Sequence, residues 1–302
     1  MTTDTAHSAP ATRRGIFAGE GQAVPVLTVL LVILVIWYLG AIWLNAPFQR
    51  ELHPELSGLD LVQATWNAER PVLPAPHQVF AELWKTTAMV GITSKRSLFY
   101  HGWVTVSSAL LGFAMGSLLG IVLAAAIVHV RALQKSLLPW IIASQTVPIL
   151  AVAPIIIVVL GSIGITGIFP KALISTYLCF FPVTIGMVKG LTSPDMIQLD
   201  LMRTYHASEM ETFRKLRWPS AVPYLFAGFK VAIAISLVGA IVGELPTGAQ
   251  AGLGARLLAG SYYGQTVQIW SALFMASALA ALLVVLVGAA EKITLARMGV
   301  KP

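Results

Sequence analysis

Trp103-Val-Thr-Val-Ser-Ser-Ala-Leu-Leu-Gly112-Phe-Ala-Met-Gly116-Ser-Leu-Leu-Gly120-Ile-Val-Leu-Ala-Ala-Ala-Ile-Val-His-Val130 contains no Lys, Arg, Asp or Glu. A helix needs about 20 predominantly apolar residues to cross about 30 Å of hydrocarbon, and this stretch exceeds that. Five more stretches read the same way: Val24–Leu44, Leu137–Leu160, Gly167–Val188, Tyr224–Gly243 and Val267–Ala289. The reading is an all-α polytopic membrane protein with six transmembrane helices and both termini on one side. Val24–Leu44 is too long for a signal-peptide core and no small-residue cleavage site follows it, so it reads as a retained anchor.

The rest of the composition agrees. Of 302 residues, 57% are hydrophobic and 11% charged, and the mean hydropathy is +0.79. A soluble domain is about 25% charged, so an ordinary soluble enzyme is excluded, as are disordered and fibrous proteins. One cysteine, Cys179, excludes a disulfide framework. The net charge of +7 is read as membrane topology rather than nucleic-acid binding. With a cytoplasmic N terminus, twelve Lys and Arg face inward (Arg13, Arg14, Arg131, Lys135, Lys189, Arg203, Arg214, Lys215, Arg217, Lys292, Arg297, Lys301). Six face outward: Arg50, Arg70, Lys85, Lys95, Arg96 and Arg256. That imbalance places both termini in the cytoplasm. Lys171 and Lys230 fall within spans and are expected to snorkel to an interface, the alternative being a relay or substrate role.

The chain therefore divides into a cytoplasmic tail 1–22, an anchor 23–44, an outer loop 45–101, a five-helix core 102–289 and a cytoplasmic tail 290–302. In the outer loop, Pro71-Val-Leu-Pro-Ala-Pro76 reads as a stiff connector. Val79, Leu83 and Trp84 beside Glu82 and Lys85 predict a short amphipathic helix on the outer surface. The most charged inward segment, 189–222, joins spans four and five. There Phe213 and Leu216 are apolar at helical spacing among Glu209, Glu211, Arg214, Lys215 and Arg217. Such a pattern suits a protein docking site, or else a charged linker.

The sequence has no G-x-x-x-x-G-K-S/T phosphate loop, and His7, His53, His77, His101, His129 and His206 lack metal-ligand spacing. No paired carboxylates lie within a span, which argues against ion coupling. An ion-coupled transporter acting alone and a non-transporting membrane scaffold stand as rivals to a partner-driven transporter.

Local features carry their own alternatives. Gly112, Gly116 and Gly120 share one helix face, for intramolecular packing or for a subunit contact. Pro148 and Pro154 interrupt span three beside Gln145 and Thr146, either lining a path or forming a kink satisfied by neighbours. Ser236 is read as back-bonded within its helix in preference to a solute contact. Glu244 ends span five, where Arg256 is a candidate partner at the interface. Residues 249–264 read as a small outer helix between glycine turns.

The inward loop runs Asp200-Leu-Met-Arg-Thr-Tyr-His206-Ala-Ser-Glu-Met-Glu-Thr-Phe213-Arg-Lys-Leu-Arg-Trp-Pro219-Ser-Ala-Val-Pro223-Tyr-Leu-Phe-Ala-Gly228. It resembles the "EAA" loop of bacterial ABC importer permeases: E-A-A, three residues, a Gly, and a Pro thirteen positions later. Asp200, Leu201 and Met202, then His206, then Pro219 stand at those places. Leu73-Pro74-Ala75-Pro76 with Val79, Val104-Thr105 with Gly112-Phe113, and Gln145-Thr146-Val147-Pro148 with Ala153-Pro154 extend the likeness over most of the chain. It is most like the nitrate, sulfonate, taurine and thiamine-precursor branch. His206 replaces the family's Gly, Leu201 and Met202 its small residues, and Ser108 an Arg.

The resemblance implies a type I ABC importer permease fold in a bacterial inner membrane. A second permease copy would complete the pore as a homodimer, two separate ABC ATPase subunits would dock on the 200–219 loops, and a periplasmic solute-binding protein would deliver the solute. ATP binding would open the permease outward and hydrolysis reset it. The chain itself would be no enzyme and bind no cofactor; ATP and magnesium would sit on the ATPase. The implied coupling residues are Asp200, Arg203, Thr204, Tyr205, His206, Ala207, Ser208, Glu211, Phe213, Leu216 and Pro219. Gln145, Thr146, Pro148, Ser236 and Glu244 would border the translocation path. The implied solutes are small polar or anionic organic molecules and nitrate; the uncharged span three mildly favours a neutral heterocycle.

Overall fold

A computed structural model describes residues 23–246 and 249–299. The expected tail 1–22 with Arg13 and Arg14, the Thr247-Gly248 pair and Lys301 lie outside the described residues. Every regular element among the described residues is helical. The chain forms two compact units, divided between Gln78 and Val79, within the expected outer loop.

The first unit is built on α1 (Ala23–Leu52), which continues beyond the expected end at Leu44. From Val24 to Ile36 its apolar side chains are exposed, as lipid contact requires. Its C-terminal end is fixed by Asn45, which is buried. The Asn45 Nδ2 donates to Leu73 O at 2.8 Å, and its Oδ1 accepts the Val72 amide at 2.7 Å. Trp37 Nε1 donates to Pro74 O at 2.9 Å. The Pro71–Pro76 run is therefore stitched to α1 rather than serving as a free spacer. Its prolines leave backbone carbonyls that only side chains or water satisfy, and Asn45 and Trp37 supply the donors. A helix not foreseen in the sequence, α2 (Gly58–Trp66), packs on α1 through Leu61 and Thr65.

The second unit begins within α3 (Pro76–Trp84), the expected amphipathic helix, which buries Val79 and continues as a wide turn over Lys85–Met89. It then holds α4 (Leu98–His129), α5 (Arg131–Ser144), α6 (Ile149–Ser162), α7 (Ile168–Leu191), α8 (Met196–Thr204), α9 (Glu209–Thr212), α10 (Trp218–Glu244), α11 (Leu253–Tyr262) and α12 (Thr266–Arg297).

Small residues decide how these helices meet. A Cβ on Gly116 would run into the Cys179 side chain and come within 3.0 Å of Thr176 O. Gly112 lies the same way against Ser175 and Ala172, and Gly120 against Phe180 and Val183. The glycine stripe is thus a seam between α4 and α7 of one chain, with backbones in direct contact. Numbers rise together along the seam, so α4 and α7 run parallel. Helix α10 is antiparallel to both, since Gly243 meets Lys171, Gly228 meets Pro182, and Thr105 meets Glu244.

Two parallel membrane helices require a return crossing between them. The segment that supplies it is α5 and α6, which bend by 97° at their junction. Span three, expected as one helix over Leu137–Leu160, is therefore a broken span. Pro148 has no amide to donate and disfavours helical geometry at Val147, which ends α5. Pro154 stays inside α6 without breaking it. With α1, α4, α7, α10 and α12, the broken span gives six crossings. Against the expected ends, α7 adds Lys189–Leu191, α10 begins at Trp218, and α12 runs to Arg297.

Candidate functional site

Three places carry the chemistry anticipated above. Between the C-terminal end of α7 and the start of α10, residues 193–217 fold as two short helices joined by a tight turn. Asp195 N donates to Gln198 Oε1 at 3.1 Å as α8 starts. At its end, His206 N donates to Arg203 O at 2.9 Å and Ala207 N to Met202 O at 3.0 Å. This is a Schellman turn, whose C′ residue must be left-handed. His206 holds that place with φ of 49°, the one non-glycine residue with positive φ among the described residues. Histidine carries the geometry where the family pattern has glycine.

Ser208 and Glu211 then cap α9 reciprocally: Ser208 N donates to Glu211 Oε2 at 3.0 Å, and Glu211 N to Ser208 Oγ at 3.3 Å. Thr204 Oγ1 donates to Asp200 O at 3.0 Å, and Arg203 pairs with Asp200 at 2.9 Å. A wide turn over Phe213–Arg217 leads into α10, where Pro219 sits in the first turn and the loss of its amide costs nothing. Arg217 donates to Leu191 O at 3.1 Å and ties the turn to α7.

Phe213 and Leu216, expected as exposed apolar residues, are half-buried. Phe213 packs into the core of Cys179, Val183, Met187, Leu191 and Ala221. The turn of the helix from Glu209 points both inward, because a wide turn adds a residue and rotates the face. The exposed apolar side chains are Met196, Ile197, Leu201, Tyr205 and Met210, with Ile197 83% and Tyr205 76% exposed. Met202 and Ala207 in the same segment are half-buried.

The second place is the break in span three. Gln145, Thr146 and Pro148 are exposed there. Thr146 Oγ1 donates to Ala143 O at 2.8 Å, and the hydroxyl of Tyr177 on α7 donates to Ser144 O. A carbonyl released by a broken helix within a membrane must find a donor, and Tyr177 is that donor. Nothing in the sequence pattern singled out Tyr177.

The third is a buried polar cluster where α10 ends and α11 begins. Glu244 is fully buried. Its carboxylate accepts Thr105 Oγ1 at 2.9 Å and the Gly254 amide at 2.9 Å, and lies 3.7 Å from Lys171 Nζ. The Leu253 amide donates to Thr105 Oγ1 at 2.8 Å and the Gly252 amide to His101 Nδ1 at 3.0 Å. Three transmembrane side chains thus cap the first turn of α11. Gly252 has φ of 127°, and a Cβ there would overlap the Glu244 carboxylate. Lys171 also donates to Ala251 O at 3.3 Å.

This corrects two expectations. Glu244 pairs with Lys171 rather than Arg256, and Lys171 turns inward instead of snorkelling, because an intramembrane ammonium is held best by a buried carboxylate. Arg256 instead feels Glu82; burial lowers the guanidinium from its ordinary range and Glu82 partly offsets this. Lys230 is paired as well, with Glu291 on α12, beyond the expected end of span six. Ser236 is likewise not back-bonded. Its Oγ donates to Ala109 O on α4 at 2.6 Å, while its own carbonyl accepts Ser175 Oγ at 2.9 Å. It is fully buried between three helices. Beside the cluster, a cleft of about 790 Å³ is bordered by Trp103, Ser107, Ile157, Ile168, Lys171 and Gln250.

Comparison with known proteins accords with this architecture. The family described as binding-protein-dependent transport system inner membrane component matches residues 116–299. A probable ABC transporter permease protein of Haemophilus influenzae is 30% identical over 187 residues, 62% of this chain and 71% of the relative. The formylaminopyrimidine transport permease protein ThiX of Halalkalibacterium halodurans is 28% identical over 234 residues, 77% of this chain and 79% of the relative. The riboflavin transport system permease protein RibX of Chloroflexus aurantiacus is 30% identical over 222 residues, 74% of this chain and 79% of the relative.

Proposed function

The chain belongs to the binding-protein-dependent transport system inner membrane components, and from that premise we propose that it forms the solute path of an ATP-driven importer, with residues 196–217 as the docking face for a separate ATPase. The observation that supports docking most is the exposed apolar row of Ile197, Leu201, Tyr205 and Met210 on a capped, rigid double helix at the inward end of the core. Apolar side chains this exposed outside the bilayer mark an interaction surface. Phe213 and Arg217 fasten the same turn to α4, α7 and α10, so displacement of the docking face moves the transmembrane helices.

In this scheme a second copy of the chain completes the pore, and both termini are cytoplasmic. ATP and its magnesium belong to the partner, and a periplasmic binding protein brings the solute. Gln145, Thr146 and Pro148 border the path at the broken span, and Glu244 lies at its outer end. Ser236 is assigned to packing. The solute is a small polar organic molecule; relatives named for formylaminopyrimidine and riboflavin favour a heterocycle.

Reconstitution into proteoliposomes with the ATPase and the binding protein that co-purify with it tests the reading. Uptake is expected to require enclosed ATP on the ATPase side and to survive collapse of ion gradients. Uptake that follows a sodium or proton gradient without ATP would establish an ion-coupled carrier instead. Absence of any transport with the ATPase bound would favour a scaffold.

A further inference from the structure

We propose that α11 is a two-position element, docked on the bundle through the Glu244 carboxylate and able to release its first turn as a unit. Four observations carry this. The first turn is held by polar groups from three different helices, namely His101 and Thr105 of α4, Lys171 of α7 and Glu244 of α10. In that first turn the apolar contribution comes from Leu253, buried with Leu98, Ala272 and Met275, while Leu257 of the following turn packs against the same cluster. Glycines of positive φ, Gly252 at 127° and Gly264 at 65°, bracket the helix on either side. Docking also leaves Arg256 Nε buried without a hydrogen-bond partner. An orphaned donor opposes docking, and release into water satisfies it.

The released position is chemically complete. Glu244 keeps Lys171 and the Thr105 hydroxyl, whose one proton is shared with His101 O; the amides of Gly252, Leu253 and Gly254 pass to water, and His101 Nδ1 accepts from water in place of Gly252. Ala251 O leaves Lys171, so the ammonium gains a free donor toward the cleft it already borders. The two positions thus differ in whether Lys171 is tied to the chain or offered to an acceptor-bearing solute. Bistability of this kind needs opposing terms of similar size, and the carboxylate bonds and the Arg256 orphan provide them.

The test uses the full chain in lipid nanodiscs, with spin labels at Gln250 just before the first turn of α11 and Phe99 at the start of α4, both exposed. Cys179, which is buried, is replaced by Ala so that only the labels react. Pulsed dipolar spectroscopy then reads the distance distribution. The parent is expected to show one dominant distance with a minor second one. Glu244→Gln and Thr105→Val should each raise the second population roughly tenfold, as loss of a buried charged hydrogen bond implies. Arg256→Met should lower it, and Thr105→Ser should restore the parent ratio. A purely structural cluster would give broadening in every variant and no opposite movement. A single unchanged distance in Thr105→Val, or the same direction of change in Thr105→Val and Arg256→Met, would overturn the proposal. The measurement involves no ATPase, so it stands apart from the docking reading.

Discussion

The ring of Phe213 lies 5.1 Å from that of His129, the last residue of α4, and 6.0 Å from that of Trp218 at the start of α10. The segment between α7 and α10 is therefore keyed into the bundle by an aromatic wedge, while the face proposed for docking is made of other residues. Phe213→Asp should place an unpaired charge in an apolar cluster and lower stability by about 3 kcal/mol or more. Ile197→Asp, on the exposed face, should stay within about 0.5 kcal/mol of the parent. Thermal unfolding in detergent separates the two; equal losses would contradict the assignment of faces.

His206 occupies a left-handed position that costs most residues about 1–2 kcal/mol. His206→Gly is expected to preserve the turn, and His206→Val to fray α8 from its end. Amide exchange across 200–207 should be unchanged or slower in the first and faster in the second. Slow exchange in the valine variant would show that the turn is set by something other than residue 206.

Gly116 meets Cys179 and the carbonyl of Thr176 with no room for a side chain. Gly116→Leu should force α4 and α7 apart and cost about 1–3 kcal/mol or prevent insertion. Leu118→Ala, at a lipid-facing position, serves as the control and should be nearly silent. Melting temperatures of the two purified variants provide the check, and a stable leucine variant would deny the seam.

Lys230 and Glu291 neutralise each other between α10 and α12. Lys230→Met alone should destabilise, because it leaves a carboxylate partly buried without its cation. Adding Glu291→Gln should recover most of the loss. A double variant as unstable as the sum of its parts would mean the pair does not interact.

Much of this was legible in the sequence because hydropathy reports membrane spans directly. Uncharged runs such as Trp103–Val130 have one physical outcome, and α4, α7, α10 and α12 lie where the runs place them. The proline pair at Pro148 and Pro154 marked span three as irregular, but only the parallel seam of α4 and α7 identifies a bent crossing. Polar partnerships were hidden, since Glu244, Lys171, Thr105 and Gly254 are brought together by tertiary packing across 149 residues of chain from Thr105 to Gly254. The side of the inward loop that Phe213 faces was hidden too, because periodicity gives the spacing of a face and a wide turn changes its direction.

The central claim is most directly tested by isolating the tagged protein from its native membrane in mild detergent and identifying what it retains by mass spectrometry. The account predicts a soluble ATPase held by the parent and by His206→Gly, and lost in Ile197→Asp and Leu201→Asp while the permease remains folded. Retention of the ATPase by both aspartate variants, or no ATPase with the parent in a detergent that preserves comparable complexes, would contradict it.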